Sequence, residues 1–151
     1  MVTIKGKIKA ISVSKEKGTK KANVSDAQLK AGFGIIGDAH AGNWHRQVSL
    51  LAVESIDKMV TRGIKVSPGS FAENITTEGI DLPKLSLGSK VKLGKEVELE
   101  ITQLGKKCHS RCEILKQVGD CIMPREGVFA KVIKPGQISV GDTVEVSDEN
   151  N

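Results

Sequence analysis

A mainly β fold, a barrel of short strands with one or two small helices, is what this sequence predicts. Three observations lead there. Apolar and polar residues alternate in at least six short segments, the signature of half-buried strands. Sixteen glycines punctuate those segments. Only two stretches carry helical spacing, which excludes a regular α/β alternation.

The elements follow in chain order. In "IKGKIKAISVS" Ile4, Ile8 and Ala10 alternate with lysines, and then Ile11 and Val13 shift the phase, as at a bulge or a strand end. "AVESIDKMVTRG" sets Val53, Ile56, Met59 and Val60 on one helical face and stops at Gly63. Pro68-Gly69 marks a turn before the β-branched run Ile75-Thr76-Thr77. "KVKLGKEVELEI" alternates Val91 and Leu93, then Val97, Leu99 and Ile101, around Gly94-Lys95, and reads as a hairpin. "SRCEILKQVGD" groups Cys112, Leu115 and Val118, with Ser110 as N-cap and Gly119 as stop, and so predicts a second helix. "VFAKVI" runs on into "KPGQISVGDTVEV", where Pro135-Gly136 and Gly141-Asp142 separate short strands. Residues 1–147 are expected to form a single domain, and 148–151 a polar tail.

Composition narrows the function classes. At 151 residues the chain can bury a real core without staples. No apolar run is long enough to cross a bilayer, and the lysine-interrupted start is not a signal peptide, so a cytoplasmic location is expected. Three cysteines cannot all pair within one chain, and a reducing compartment disfavours pairing, so free thiols are expected. Seven lysines against one glutamate fill the first 21 residues, within a net charge of +5. The simpler reading is a solvated, lysine-decorated strand and loop. Nucleic acid is not expected, because aromatics are only 3% and single-strand binders use aromatic stacking platforms.

Three polar stretches do not read as core. "GIIGDAHAGNWHRQVSLL" offers Asp38, His40, His45, Arg46 and Gln47 among glycines, and glycine lets backbone amides approach an anion while Arg and His donate directionally. The same residues also suit ordinary turns. In "SPGSFAENITTEGIDL" Glu73 and Asn74 stand at a strand entry, where capping or cross-linking the backbone is the simpler role. "GKKCHSRC" places Cys108, His109 and Cys112 among Lys106, Lys107 and Arg111. A zinc knuckle with Cys121 departs from the usual paired spacing, so no zinc is expected. The alternative is a reactive thiol at Cys108, where Lys107 and a following helix N-terminus favour the thiolate.

Taken in order, "GIIGDAHAG…HRQVSLL", "PGSFAENITTEGIDL", "LGSKVKLGKEVELEITQLGKKCH" and "GVFAKVIKPGQISVGD" resemble the MOSC domain, the module at the C-terminus of molybdenum cofactor sulfurases. The resemblance spans about Ile4 to Val146 and is nearest to the small stand-alone bacterial members. It implies a barrel with a polar conduit leading to a cysteine. It also implies binding of the anionic pterin-based molybdenum cofactor, or carriage of sulfur as a cysteine persulfide in a family linked to pyridoxal phosphate. By position the family's cysteine falls on Cys108, as sulfur carrier or molybdenum ligand. The binding segments fall on Asp38, His40, His45, Arg46, Gln47, Gly69, Glu73 and Asn74. No pyridoxal-phosphate desulfurase domain is seen ahead of the segment, so sulfur is expected from a donor protein such as a cysteine desulfurase.

The expected function is therefore cofactor binding, sulfur carriage, or both. His45, Arg46 and Asn74 are expected around the mouth of one pocket with Asp38 and His40. A non-catalytic adaptor or sensor that binds an anion or a partner protein is the alternative. Cys108 separates the two, since an adaptor keeps its binding without that thiol.

Overall fold

The computed structural model describes residues 2–16, 20–105 and 126–148. Eleven strands and one α-helix are found among them: β1 (Val2–Val13), β2 (Ala22–Val24), β3 (Asp26–Lys30), β4 (Gly34–Ile35), β5 (Val48–Ala52), α1 (Val53–Thr61), β6 (Ile75–Glu78), β7 (Lys90–Leu93), β8 (Val97–Leu104), β9 (Val128–Lys134), β10 (Gly136–Ser139) and β11 (Thr143–Asp148). The large sheet runs β11-β7-β8-β9-β5-β6-β1-β2, and β11 also pairs with β1. That last pairing closes seven strands into a barrel and leaves β2 outside it, on β1. The fold expected from the alternation is the fold observed.

Alternation decides which side chains fill the barrel. Val91 and Leu93 of β7, with Val97, Leu99 and Ile101 of β8, point inward and are at most 1% exposed. They join Ile8, Ile11, Leu50, Ile75, Val128, Ala130, Val144 and Val146 in one core. The barrel is thus packed by aliphatic side chains rather than hollow. Strand β5 differs, since all five of its residues are buried. Its inner face joins this core, and its outer residue Leu51 packs with Ile56, Met59, Phe71 and Phe129 in a second cluster under α1. A small sheet, β10-β3-β4, adds Leu29, Ile35 and Ile138 to the barrel core.

The phase shift read in β1 is a bulge, because pairing with β6 slips between Ile8 and Ala10. The strand continues past it to Val13. The hairpin at Gly94-Lys95 is present, with Leu93 opposite Val97 and Gly94 at φ +63°. Helix α1 links the only parallel pair among the described strands, β5 and β6. It ends in a Schellman turn, with Gly63 at φ +88° donating to the Val60 carbonyl and Ile64 donating to Met59. One helical expectation needs correction. Val60 is 49% exposed, because the buried face is centred on Ser55, Ile56 and Met59. The second expected helix, at 110–120, lies outside the described residues. No helix among the described residues is long and apolar enough to cross a membrane.

Candidate functional site at the barrel mouth

Residues 36–47 lead from β4 to β5 and contain most of the polar candidates. Asp38 organises the start of this loop. Its carboxylate accepts the Ser14 and His40 amides, both at 3.0 Å, and the Lys21 ammonium at 2.7 Å. Both side chains of the Lys21–Asp38 pair are fully buried. Lys21 is therefore not part of a solvated lysine face, as its place in the basic run suggested. Burial pushes the Asp38 carboxyl up. The hydrogen bond and charge of Lys21, aided by the Ser14 amide, overcome this and hold it below its ordinary value.

A second knot ties this loop's base to the barrel. Gly69, at φ +96°, accepts the Lys21 amide on its carbonyl and donates its own N–H to Glu73. Glu73 also accepts the Phe71 amide and the Thr76 hydroxyl. Its burial raises the carboxyl above its ordinary value, although the three donors favour the charged form. Asn74 takes the Ser49 amide and hydroxyl on Oδ1 and gives Nδ2 to the Ser12 carbonyl, which joins β5 to β1. Gln47 accepts the Val132 amide of β9 at 2.9 Å. The cross-linking role read for Glu73 and Asn74 is thus realised. The rim position expected for Asn74 is not, since it is wholly buried and its amide is committed to Ser49 and Ser12.

The exposed half of the loop is different in character. The Arg46 guanidinium lies 4.9 Å from the Trp44 ring centre and 5.6 Å from that of Phe129. Its Nε is buried and has no hydrogen-bond partner among the described residues. Trp44 is anchored by its indole N–H on the His40 carbonyl at 2.7 Å. His45 meets Gln103, with Nε2 2.9 Å from Oε1. Gln103 donates its amide to the Gly105 carbonyl, which turns Oε1 toward His45 and makes Nε2 of that imidazole the protonated nitrogen.

Thr102 and Gln103 were not among the residues singled out from sequence. A bulge in β8, where pairing with β9 slips between Ile101 and Gln103, lets Thr102 donate to the His45 carbonyl. The sequence held one signal. Gln103 occupies the position where the alternation of Val97, Leu99 and Ile101 calls for another apolar residue. Lys21 gave none, being one lysine among seven.

The pattern of the MOSC domain matches residues 37–145. The chain belongs to the MOSC domain family. The matched span holds all eight candidate binding residues and the three cysteines, whereas β1 and Lys21 precede it. No curated protein matches the MOSC chain in sequence. Solved structures do match in fold. The YuaD protein of Bacillus subtilis superposes with a TM-score of 0.81 at 20% identity, over 96% of this chain and 97% of that one. YiiM of Geobacillus stearothermophilus gives 0.70 at 18%, over 95% and 75%. YiiM of Escherichia coli gives 0.68 at 17%, over 95% and 70%. At these identities the likeness is one of fold.

In this MOSC domain the candidate residues fall into two groups. Asp38, Gln47, Gly69, Glu73 and Asn74 fix backbone, and Lys21 joins Gly69 to Asp38. His45 is exposed beside that frame, and Arg46 is half-buried. Cys108, Cys112, Cys121 and His109 lie outside the described residues. Among the described residues no cluster of His, Cys, Asp and Glu could hold a metal ion.

The buried acids give opposite pH dependences. The lowered pKa of Asp38 contributes stability that is present above its unfolded value and lost as pH falls through the folded one. The raised pKa of Glu73 contributes stability present below its unfolded value and lost as pH rises through the folded one. Asp38→Asn should therefore flatten the acid limb of a denaturation midpoint against pH, and Glu73→Gln should not. An equally steep acid limb in Asp38→Asn would remove that carboxylate from the titration.

Proposed function

We propose that this MOSC domain binds the molybdenum cofactor, or a fragment of it, through the cofactor's phosphate at Arg46, and that Cys108 carries sulfur beside it. The observation that supports this is Arg46 itself: a guanidinium held between two rings with a buried, unpartnered Nε. A buried donor without an acceptor costs free energy, and an anion docked there supplies the missing one. His45, fixed by Gln103 and Thr102, stands beside it with its Nε2–H already given to Gln103. The bound group would supply a dithiolene-held molybdenum centre.

In sequence Cys108 follows Gly105 by three residues, and the Gly105 carbonyl is the partner of Gln103. In the proposed transfer the Cys108 thiolate attacks the outer sulfur of a donor persulfide. The new S–S bond forms as the donor's S–S bond breaks, and the donor leaves as a thiolate, with no net oxidant needed. A cysteine desulfurase is a donor of the required kind.

The test is pterin and molybdenum content of the protein purified from a molybdenum-replete host, with titration of the apo-protein followed by the emission of Trp44, the single tryptophan. Arg46→Ala should weaken binding by roughly ten- to a hundredfold, the equivalent of one charge-assisted contact. Unchanged affinity in a folded Arg46→Ala protein would remove Arg46 from the site.

A further inference from the structure

A pocket of about 530 Å³ lies between β2 and the segment from Lys65 to Ser70. The motifs assigned above leave it unused. Lys20, Lys65, Asn23 and Ser67 are among its lining residues, and no carboxylate is among those described. Lys20 and Lys65 are exposed, and neither forms an ion pair among the described residues. A second pocket, of about 440 Å³, differs in having Glu54, Asp81 and Glu126 beside Lys58 in its wall. A concave surface with two ammonium groups, and no acid among its described lining residues, concentrates small anions.

The walls of this basic pocket are fixed before anything binds. Asn23 gives its amide hydrogens to the Ser12 hydroxyl at 2.7 Å and the Pro68 carbonyl at 2.9 Å, and so staples β2 to the facing segment. The Lys21 amide donates to the Gly69 carbonyl at 2.8 Å between the same two walls. The Ser70 hydroxyl accepts the Ser67 amide and holds the turn. Lys21 lends the pocket backbone but no charge, because its ammonium is turned inward onto Asp38. Binding therefore orders only two lysine side chains, and little affinity is lost to rearrangement.

We propose that this pocket is a second anion site, for a small molecule carrying two phosphoryl groups, of nucleoside diphosphate size. Its volume suits a ligand of that size, and its two cations are point charges suited to separate phosphates rather than to one bidentate group. Part of the lysine-rich start thus serves recognition and not only solvation. The site uses no residue of the Arg46 rim, so the two can fail independently.

The experiment is an amide NMR titration of the full chain with ADP, and separately with inorganic phosphate, at low and at physiological salt. Shifts should appear at residues 20–23 and 65–70, weaken as salt rises, and saturate at lower concentration with ADP than with phosphate. Lys20→Ala with Lys65→Ala should weaken ADP binding by roughly ten- to thirtyfold, from two exposed contacts. Both lysines are at the surface, so the double variant keeps its fold. Arg46→Ala should bind ADP as the parent does. ADP shifts centred on residues 36–47, parental affinity in the double lysine variant, or no shifts at millimolar ADP would each overturn the assignment.

Discussion

Lys21→Met should lower the free energy of unfolding at neutral pH by about 3–5 kcal/mol, the cost of leaving a buried carboxylate without its cation. Asp38 and Lys21 are both wholly buried, and the ammonium is also placed on the Ser14 hydroxyl at 3.0 Å. Methionine keeps the length of the stem but supplies no proton. Burial then pushes the Asp38 carboxyl up, so the variant regains stability as pH falls while the parent loses it. The two stability–pH curves should converge in acid. Lys21→Met combined with Asp38→Asn should recover part of the loss, because it removes the unpaired charge and keeps an acceptor for the Ser14 or the His40 amide. Denaturant unfolding followed by circular dichroism reads all three proteins. A loss under about 1 kcal/mol for Lys21→Met would mean that water reaches the pair.

Gly69→Ala should cost about 2–5 kcal/mol by two additive routes. The backbone there has φ +96°, a region that side chains disfavour. A Cβ would also stand 2.3 Å from the Lys21 carbonyl oxygen, a backbone atom with no freedom to swing away. Relief requires moving either the Lys21 strand entry or the turn whose N–H serves Glu73, and both are pinned by buried hydrogen bonds. A midpoint close to the parent's would show that the two segments do not approach as described. By contrast a Cβ at Gly63 meets nothing within 4 Å, so Gly63→Ala should cost only the backbone strain and gives the control.

The sequence carried most of the barrel because strand alternation is local. Val91, Leu93, Val97, Leu99 and Ile101 declare their inward face by spacing alone, and Gly94 marks the turn between them. Closure of the barrel was not written so plainly. It depends on β1 meeting β11 across nearly the whole chain, with Ile4 opposite Val146, and no local pattern encodes that partner. The parallel β5–β6 pair was hidden for the same reason. At the barrel mouth, residue type did not declare the side chains' tasks. Glu73 and Asn74 looked available and are spent on backbone, while Lys21 looked solvated and is buried. Pairing partners, not residue identities, make that difference.

The most direct test of the barrel-mouth account is alkylation of the native protein with limiting iodoacetamide across a range of pH, read by peptide mass at Cys108, Cys112 and Cys121. Cys108 should label first, with an apparent pKa below the ordinary thiol value of about 8.5. A persulfide donor should protect Cys108 before the other two. Labelling of Cys112 or Cys121 ahead of Cys108, or tightly bound zinc that shields all three thiols, would contradict it.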